Sequence, residues 1–253
     1  MHAPSHTVYG GAGGVSFSYG GAGGMHNNTH VISNITIRDT KGGDATQGAG
    51  ALAIQSLGKT SALNVSIEDS IFASNQALSS NPEQSPLTGV AGAVRITAKS
   101  TEFDTSNIAQ FTNSHFHSNS LSEDCTSGLC MAGALAVSIQ TIVEGCTFDG
   151  NTCPRGSGGL YADRMLELRH CTLTNNTATQ AFFGTANVAA FTAVNTSMHF
   201  SGPLSGIVFS NLSAHERFML TCSAGEEINN STPGQYLCRR CPSKNTLTVS
   251  FSI

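Results

Sequence analysis

The stretch AGALAVSIQTIVEGCTFDGN, residues 132–151, is followed after TCPRG by SGGLYADRMLELRHCTLTNN, residues 157–176. Both segments have the same pattern. Each begins with two small residues before an apolar one, alternates apolar and polar positions, and ends with Cys-Thr-apolar-x-x-Asn. Equivalent residues lie 25 positions apart, as Cys146 and Cys171 do. A fixed period of this length indicates one supersecondary unit that stacks on copies of itself.

Further approximate copies occur on both sides of this stretch. The earlier units open at 50–52 and 92–94, and the first unit is taken to open at Gly23-Gly24-Met25. The closing apolar residues are Ile37, Phe72, Phe116, Phe148, Leu173 and Phe200, and 207–211 is predicted to close a last short unit. The repeated YGGAGG before residue 25 is either a flexible leader or the opening of a unit.

The apolar residues within a unit recur at every second position, as Leu135, Val137 and Ile139 do. This period indicates β-strands with one buried face. An antiparallel sandwich would explain the alternation but not the Phe-x-x-Asn ending of each unit. We therefore predict an all-β fold, a right-handed parallel β-helix of the pectin-lyase-like solenoid type.

In such a fold, equivalent residues of successive units lie above one another at about 4.8 Å, so like residues form ladders. The predicted structural ladders are an apolar one of Phe72, Phe116, Phe148 and Leu173, and an amide one of Asn75, Asn119, Asn151 and Asn176. We expect the asparagines to lie at a turn, where they tolerate left-handed backbone angles and hydrogen-bond between units.

The cysteines suggest where covalent links form. Cys146 and Cys171 hold a position that is serine in earlier units, and stacking would bring them within the roughly 4.4–6.8 Å between Cα atoms that a disulfide needs. Either a disulfide or two stacked buried thiols is expected. Cys125 and Cys130 lie in one inserted loop that a disulfide would close, and Cys153 either pairs with one of them or is free.

Composition excludes several classes of function. Charged residues make up only 11% of the chain and the formal net charge is −4, which argues against nucleic-acid binding. Eight cysteines suggest an oxidising, extracellular compartment. Glycosylation sequons begin at Asn27, Asn34, Asn64, Asn175, Asn195, Asn211, Asn229 and Asn230. We expect a fragment of a cell-surface protein whose signal and membrane anchor lie outside these residues.

The small-residue openings followed by Phe-x-x-Asn resemble the repeat of chlamydial polymorphic outer membrane proteins, related forms of which occur in protist surface proteins. The C-terminal pattern, Cys222-x-x-Gly and then Cys238-x-x-Cys241-Pro, is similar to the start of an ephrin-receptor-like cysteine-rich module. The resemblance implies disulfides for these three cysteines. A zinc knuckle is the rival interpretation, but it needs four ligands.

These patterns divide the chain into 1–19, a Gly-rich leader or first partial coil, 20–215, the β-helix repeats, and 216–253, a truncated cysteine-rich module. The expected function is non-catalytic: adhesion, ligand binding or structural spacing as part of a larger membrane protein. The partner would be an extracellular protein or a glycan. No nucleic acid, cofactor or metal is expected.

The alternative function is a carbohydrate-active enzyme, either a lyase or a glycoside hydrolase. Hydrolysis needs a close pair of carboxyl groups, whereas the acids of the repeats are scattered: Asp39, Asp69, Asp104, Asp149 and Asp163. Asp149, beside His117 and Thr174, is the best placed outward acid. His115 and His117 flank Phe116 and therefore point outward, but the sequence supplies them with no third metal ligand.

Overall fold

The computed structural model describes residues 7–11, 14–19, 27–42, 48–56, 62–78, 90–98, 107–123, 125, 130–154, 156–162, 164–178, 191–200, 206–208, 217–222, 226–229, 235–240 and 251–252. This part of the chain is all-β and contains no helix, so none of its segments is a helix that could cross a membrane. Its parallel strands lie in stacked sheets, an arrangement compatible with a parallel β-solenoid.

Most of the described strands lie in four stacks of parallel strands, and each repeat unit contributes one strand to every stack. The opening stack contains β2 (Gly14–Tyr19), β6 (Leu52–Ser56), β11 (Val94–Ala98), β16 (Leu135–Val137) and β20 (Leu160–Ala162). The middle stack contains β3 (Asn27–Ser33), β7 (Ala62–Glu68), β12 (Ile108–Thr112), β17 (Gln140–Glu144) and β21 (Leu166–Arg169).

The closing stack contains β4 (Thr36–Arg38), β8 (Ile71–Ala73), β13 (His115–His117), β18 (Thr147–Asp149) and β22 (Thr172–Thr174). The short stack contains β5 (Lys41–Gly42), β9 (Gln76–Ala77), β14 (Ser120–Leu121), β19 (Thr152–Cys153) and β23 (Thr177–Ala178). One further parallel pair, β10 (Val90–Ala91) with β15 (Cys130–Ala132), precedes the opening strands of two units.

The remaining strands lie at the two ends of the stacks. β1 (Thr7–Gly11) pairs antiparallel with β2. β24 (Phe191–Phe200) pairs in parallel with β21, β22 and β26 (Arg217–Cys222), and β29 (Phe251–Ser252) pairs with β26. A separate antiparallel sheet contains β25 (Gly206–Val208), β27 (Glu226–Asn229) and β28 (Gln235–Arg240). The parallel pairing therefore continues beyond residue 215 into β26.

The core lies between the stacks, because every second residue of each strand points inward. β7 shows this alternation along its whole length, with Leu63, Val65 and Ile67 buried. In the closing stack, the ring of Phe116 is stacked between those of Phe72 and Phe148, with centroid distances of 5.0 and 4.7 Å. These distances match the spacing of neighbouring strands. Leu173 continues the column in register with Phe148.

The register corrects the sequence interpretation at both ends of the repeat. Val15 pairs with Leu52, so the first unit opens at Gly14 rather than at Gly23-Gly24-Met25, and 14–19 form a strand of the stack rather than a flexible leader. Leu173 pairs with Met198, so Phe200 is not the closing residue of the sixth unit. The predicted last unit at 207–211 is also wrong, since Gly206–Val208 pairs antiparallel with β28.

Left-handed backbone angles occur at two turns of each unit. One turn precedes the closing strand and the other follows it. The residues with positive φ are Asn34, Asp69, Asn113, Gly145 and His170 at the first turn, and Asp39, Ser74, Ser118, Gly150 and Asn175 at the second. The second turn lies immediately before the ladder asparagine. The expectation that the ladder asparagines themselves adopt these angles is therefore wrong.

The opening glycine of each unit is explained by close contact between backbones. A Cβ at Gly92 would overlap the carbonyl oxygen of Gly133, and one at Gly133 would overlap that of Gly158. The same Cβ at Gly133 would lie 2.7 Å from both N and O of Thr152 in the short stack. Only glycine allows the opening turn to pass this close to two neighbouring strands.

Candidate functional site

The ladder asparagines form a continuous column of side-chain amides. Asn75, Asn119 and Asn151 are fully buried, and Asn176 is half-buried. Asn75, Asn119 and Asn151 each donate their Nδ2 hydrogens to the Oδ1 of the next asparagine and to a backbone carbonyl of the preceding unit, and Asn176 Nδ2 donates to Phe148 O. For Asn119 these acceptors are Asn151 Oδ1 and Phe72 O, both at 2.9 Å.

The acceptor of each amide is also fully used. Asn119 Oδ1 accepts hydrogen bonds from both the backbone N and Nδ2 of Asn75, each at 3.0 Å. At the first unit Thr40 takes the place of asparagine, and its Oγ1 lies 2.6 Å from Asn75 Oδ1. A buried polar column is stabilising only when its groups find partners, as they do here. The ladder is therefore structural and leaves little for a ligand to bind.

A second column, of serines and cysteines, lies before the closing strands. The backbone N of Ser70 donates to Ser114 Oγ at 3.2 Å, and the backbone N of Ser114 donates to Cys146 Sγ at 3.4 Å. Each side chain also donates to the carbonyl two residues earlier, as Cys171 Sγ does to Arg169 O. Cys146 and Cys171 are free thiols, so the disulfide suggested for them is not formed. Both sulfurs instead hydrogen-bond to the backbone as the serines do.

Burial makes both thiols poor acids. It raises the pKa of Cys146 to about 12 and that of Cys171 to about 11. The thiolate is the reactive form of cysteine, so these sulfurs are protected from oxidation and exchange at neutral pH.

The raised pKa values predict a loss of stability in alkali. Above about pH 9 the unfolded chain releases thiol protons that the folded chain retains, so the free energy of unfolding should fall with rising pH up to about pH 12. Each thiol can contribute up to about 1.4 kcal/mol per pH unit. Urea unfolding of the wild type and of the double variant Cys146→Ser/Cys171→Ser at pH 8 to 11 measures this. The free energy of unfolding of the variant should fall less steeply with pH than that of the wild type. Parallel plots of unfolding free energy against pH for the two proteins would contradict the prediction.

The inserted loop before β15 is closed by a disulfide. Cys125 and Cys130 are bonded, with their Cα atoms 6.0 Å apart. Cys153 is buried, forms no disulfide, and packs in the same apolar cluster, together with Leu121. The side chains of Cys222 and Cys238, and all of Cys241, lie outside the described residues, so the disulfides implied for them stay predictions.

The sequons occupy different environments. Asn34 is exposed at a left-handed turn, and Asn64 lies half-buried on the outer face of β7. Asn175 is exposed, but its Nδ2 donates to Asp149 Oδ1 at 2.9 Å. The side chains of Asn27, Asn195 and Asn229 lie outside the described part, as do residues Asn211 and Asn230.

The outward residues of the closing stack include Asp149, the acid with the most favourable predicted position. Asp149 pairs in register with His117 on one side and Thr174 on the other. Its Oδ1 accepts a hydrogen bond from Thr174 Oγ1 at 2.7 Å. Neither register neighbour is a second carboxylate. Among the described residues, no three His, Cys, Asp or Glu side chains are grouped as they would be around a metal ion.

The other acids of the repeat serve turns or lie outside the described part. Asp39 and Asp69 are exposed residues with positive φ. Asp104 and Asp163 are outside the described residues. The three of these aspartates that the structure describes, Asp39, Asp69 and Asp149, therefore occupy separate positions.

A concave surface that sequence reasoning missed lies over the short stack. We call it the polar groove. Its floor is a row of outward side chains from four consecutive units: Gln76, Ser120, Thr152 and Thr177. Ser120 pairs in register with both Gln76 and Thr152, and Thr152 pairs with Thr177. The row therefore runs across the strands, from unit to unit.

Other side chains shape the walls of the polar groove. Pro154 supplies apolar surface and Glu123 supplies one carboxyl group, whereas Leu121 and Cys153 border the groove but are themselves buried. The volume is about 680 Å³, within the range of ligand sites in proteins. A sequence signal for it existed: a polar residue follows the ladder asparagine in each of these units.

Comparison of the chain with models of known protein families, with curated proteins and with solved structures finds no match.

Proposed function

We propose that the chain is a non-catalytic ectodomain of a larger cell-surface protein, folded as a right-handed parallel β-helix of the polymorphic outer membrane protein type. It binds an extracellular protein or glycan through its outer surface. The observation that carries this proposal is the polar groove, where four units present outward polar side chains in one concave row. The inward side chains are already occupied by apolar packing and by the hydrogen-bonded asparagine column.

Two further features support an extracellular location. The Cys125–Cys130 disulfide is of a kind that persists in oxidising compartments and is rare in the cytosol. The sequon at Asn34 is exposed at a turn, where a glycan would meet solvent.

Surface labelling tests the location. An antibody raised against the purified chain should stain intact cells of the source organism before permeabilisation. An antibody against a cytosolic protein of the same cells serves as the control. Staining that appears only after permeabilisation would refute the proposed location.

Binding and turnover assays test the activity. The purified chain should bind a subset of glycans or extracellular proteins on an array and should release no product from polysaccharides. Formation of new reducing ends or unsaturated sugars, in proportion to protein concentration, would establish a carbohydrate-active enzyme instead.

A further inference from the structure

We propose that the polar groove binds an uncharged, extended polysaccharide chain, with one sugar residue over each repeat unit. The inference rests on the proposed function, since it names the ligand class of the same surface. The inference is based on the similar spacing of the side chains in the row and of the sugar residues in an extended polysaccharide.

The row repeats at the spacing of the strands. Gln76, Ser120, Thr152 and Thr177 occupy equivalent positions in neighbouring parallel strands. Neighbouring strands lie about 4.8 Å apart, a distance close to the advance per residue in an extended β-linked polysaccharide. Each sugar along the groove therefore meets the same kind of side chain as the sugar before it.

The chemistry of the row suits sugar hydroxyls. Each of these side chains carries a hydroxyl or an amide, and such groups both donate and accept hydrogen bonds. Pro154, which is only half-buried, offers apolar surface to the C–H face of a sugar ring. Amphiphilic rings of this kind need both types of contact.

The charges favour an uncharged ligand. No lysine or arginine lines the groove among the described residues, and Glu123 contributes a carboxyl group. Lys41, which pairs in register with Gln76, continues the row one strand beyond the groove. A polyanion such as a uronate or sulfated chain would therefore meet one described cation, at the end of the row, and would be repelled by Glu123.

An extended peptide fits the groove less well. Peptides that add to sheets bind through the free backbone groups of an edge strand. The row lies on strands inside a stack, and their backbone N–H groups are already used. Thr152 N donates to Asn119 O at 2.8 Å, and Thr177 N donates to Asn151 O at 2.9 Å. Recognition here must come from side chains.

Calorimetric titration with neutral β-linked oligosaccharides of increasing length tests the proposal. Affinity should rise with each added sugar up to about four, because four units line the groove, and then level off. Thr152→Trp should weaken binding at least tenfold by filling the centre of the groove. Thr177→Trp should lower the length at which affinity levels off by one sugar.

Thr147→Trp is the matched control, because Thr147 is an outward, half-buried threonine of the neighbouring closing stack. It should leave affinity unchanged. Thermal unfolding of each variant shows whether the fold is retained, and Thr177→Trp at the end of the row substitutes for Thr152→Trp if the latter fails to fold.

Three results would overturn the proposal: affinity that does not depend on chain length, preference for charged glycans, or equal effects of the groove and control variants. Binding of an extracellular protein without any binding of neutral glycans would refute this inference and leave the proposed function intact. Binding to neither class would refute both.

Discussion

Gly133→Ala is expected to destabilise the fold by at least about 3 kcal/mol, beyond the usual cost of overpacking. The new methyl group would overlap Gly158 O and lie 2.7 Å from N and O of Thr152. All of these atoms belong to the backbone, so no side chain can move aside to relieve the contact. Separating the two units would also break their ladder hydrogen bonds. Urea unfolding followed by far-UV circular dichroism measures the loss.

Gly159→Ala is the matched control for this substitution. Gly159 follows the opening glycine of the next unit, Gly158, and the equivalent residue is alanine in three earlier units: Ala51, Ala93 and Ala134. Its added Cβ would approach only the side chain of Asn176, at 3.3 Å. We expect a change within about 1 kcal/mol. Equal losses for the two variants would show that crowding of the backbone is not the reason for the opening glycine.

Asn119→Asp is expected to cost on the order of 2–6 kcal/mol at pH 7, although it hardly changes the side chain's size. The substitution removes the two hydrogen bonds that Asn119 Nδ2 donates, to Phe72 O and Asn151 Oδ1. Each buried acceptor left without its donor costs about 1–3 kcal/mol. The new carboxylate would also face another oxygen in a buried site.

The pH dependence of this variant separates charge from packing. Burial among acceptors should raise the pKa of the new carboxyl group above its value in the unfolded chain. Stability should therefore be higher at acidic pH, where the protonated group donates one hydrogen bond, and should fall as pH rises through the folded pKa. Asn113→Asp, at an exposed turn position that Asp69 occupies in the preceding unit, should change stability by less than about 1 kcal/mol. An Asn119→Asp loss that does not vary with pH would contradict this account.

The central units could be predicted from sequence because their determinants are local and repeated. Phe72, Phe116 and Phe148 recur with asparagine three residues later, and inward stacking is the arrangement that gives each recurrence the same environment. The end of the repeat could not be predicted in the same way. Met198 and Phe200 are both apolar and lie two positions apart in one strand, so both fit the alternating pattern of the sequence equally well. Only the pairing of β24 with β22 shows which of them is equivalent to Leu173.

The candidate site was missed for a different reason. Ser120, Thr152 and Thr177 are ordinary solvent-facing residues when each is considered within its own unit. They become a site only because parallel register places them in one row and because the inserted loop and Pro154 give that row walls. Whether Cys146 and Cys171 form a disulfide could not be predicted from the sequence either. Stacking brings the two cysteines close together, whereas the hydrogen bonds of their sulfurs to the backbone favour free thiols.

The asparagine column has a direction. Asn75, Asn119 and Asn151 each donate through Nδ2 to the Oδ1 of the next asparagine toward the C-terminus, so each Oδ1 from Asn119 to Asn176 accepts from the N-terminal side. The amide dipoles therefore add, with their positive ends toward the C-terminus, much as peptide dipoles add along a helix. Thr40 closes the column at its N-terminal end, because its backbone N and its Oγ1 both donate to Asn75 Oδ1. At that end the column therefore offers a second stack no free amide acceptor.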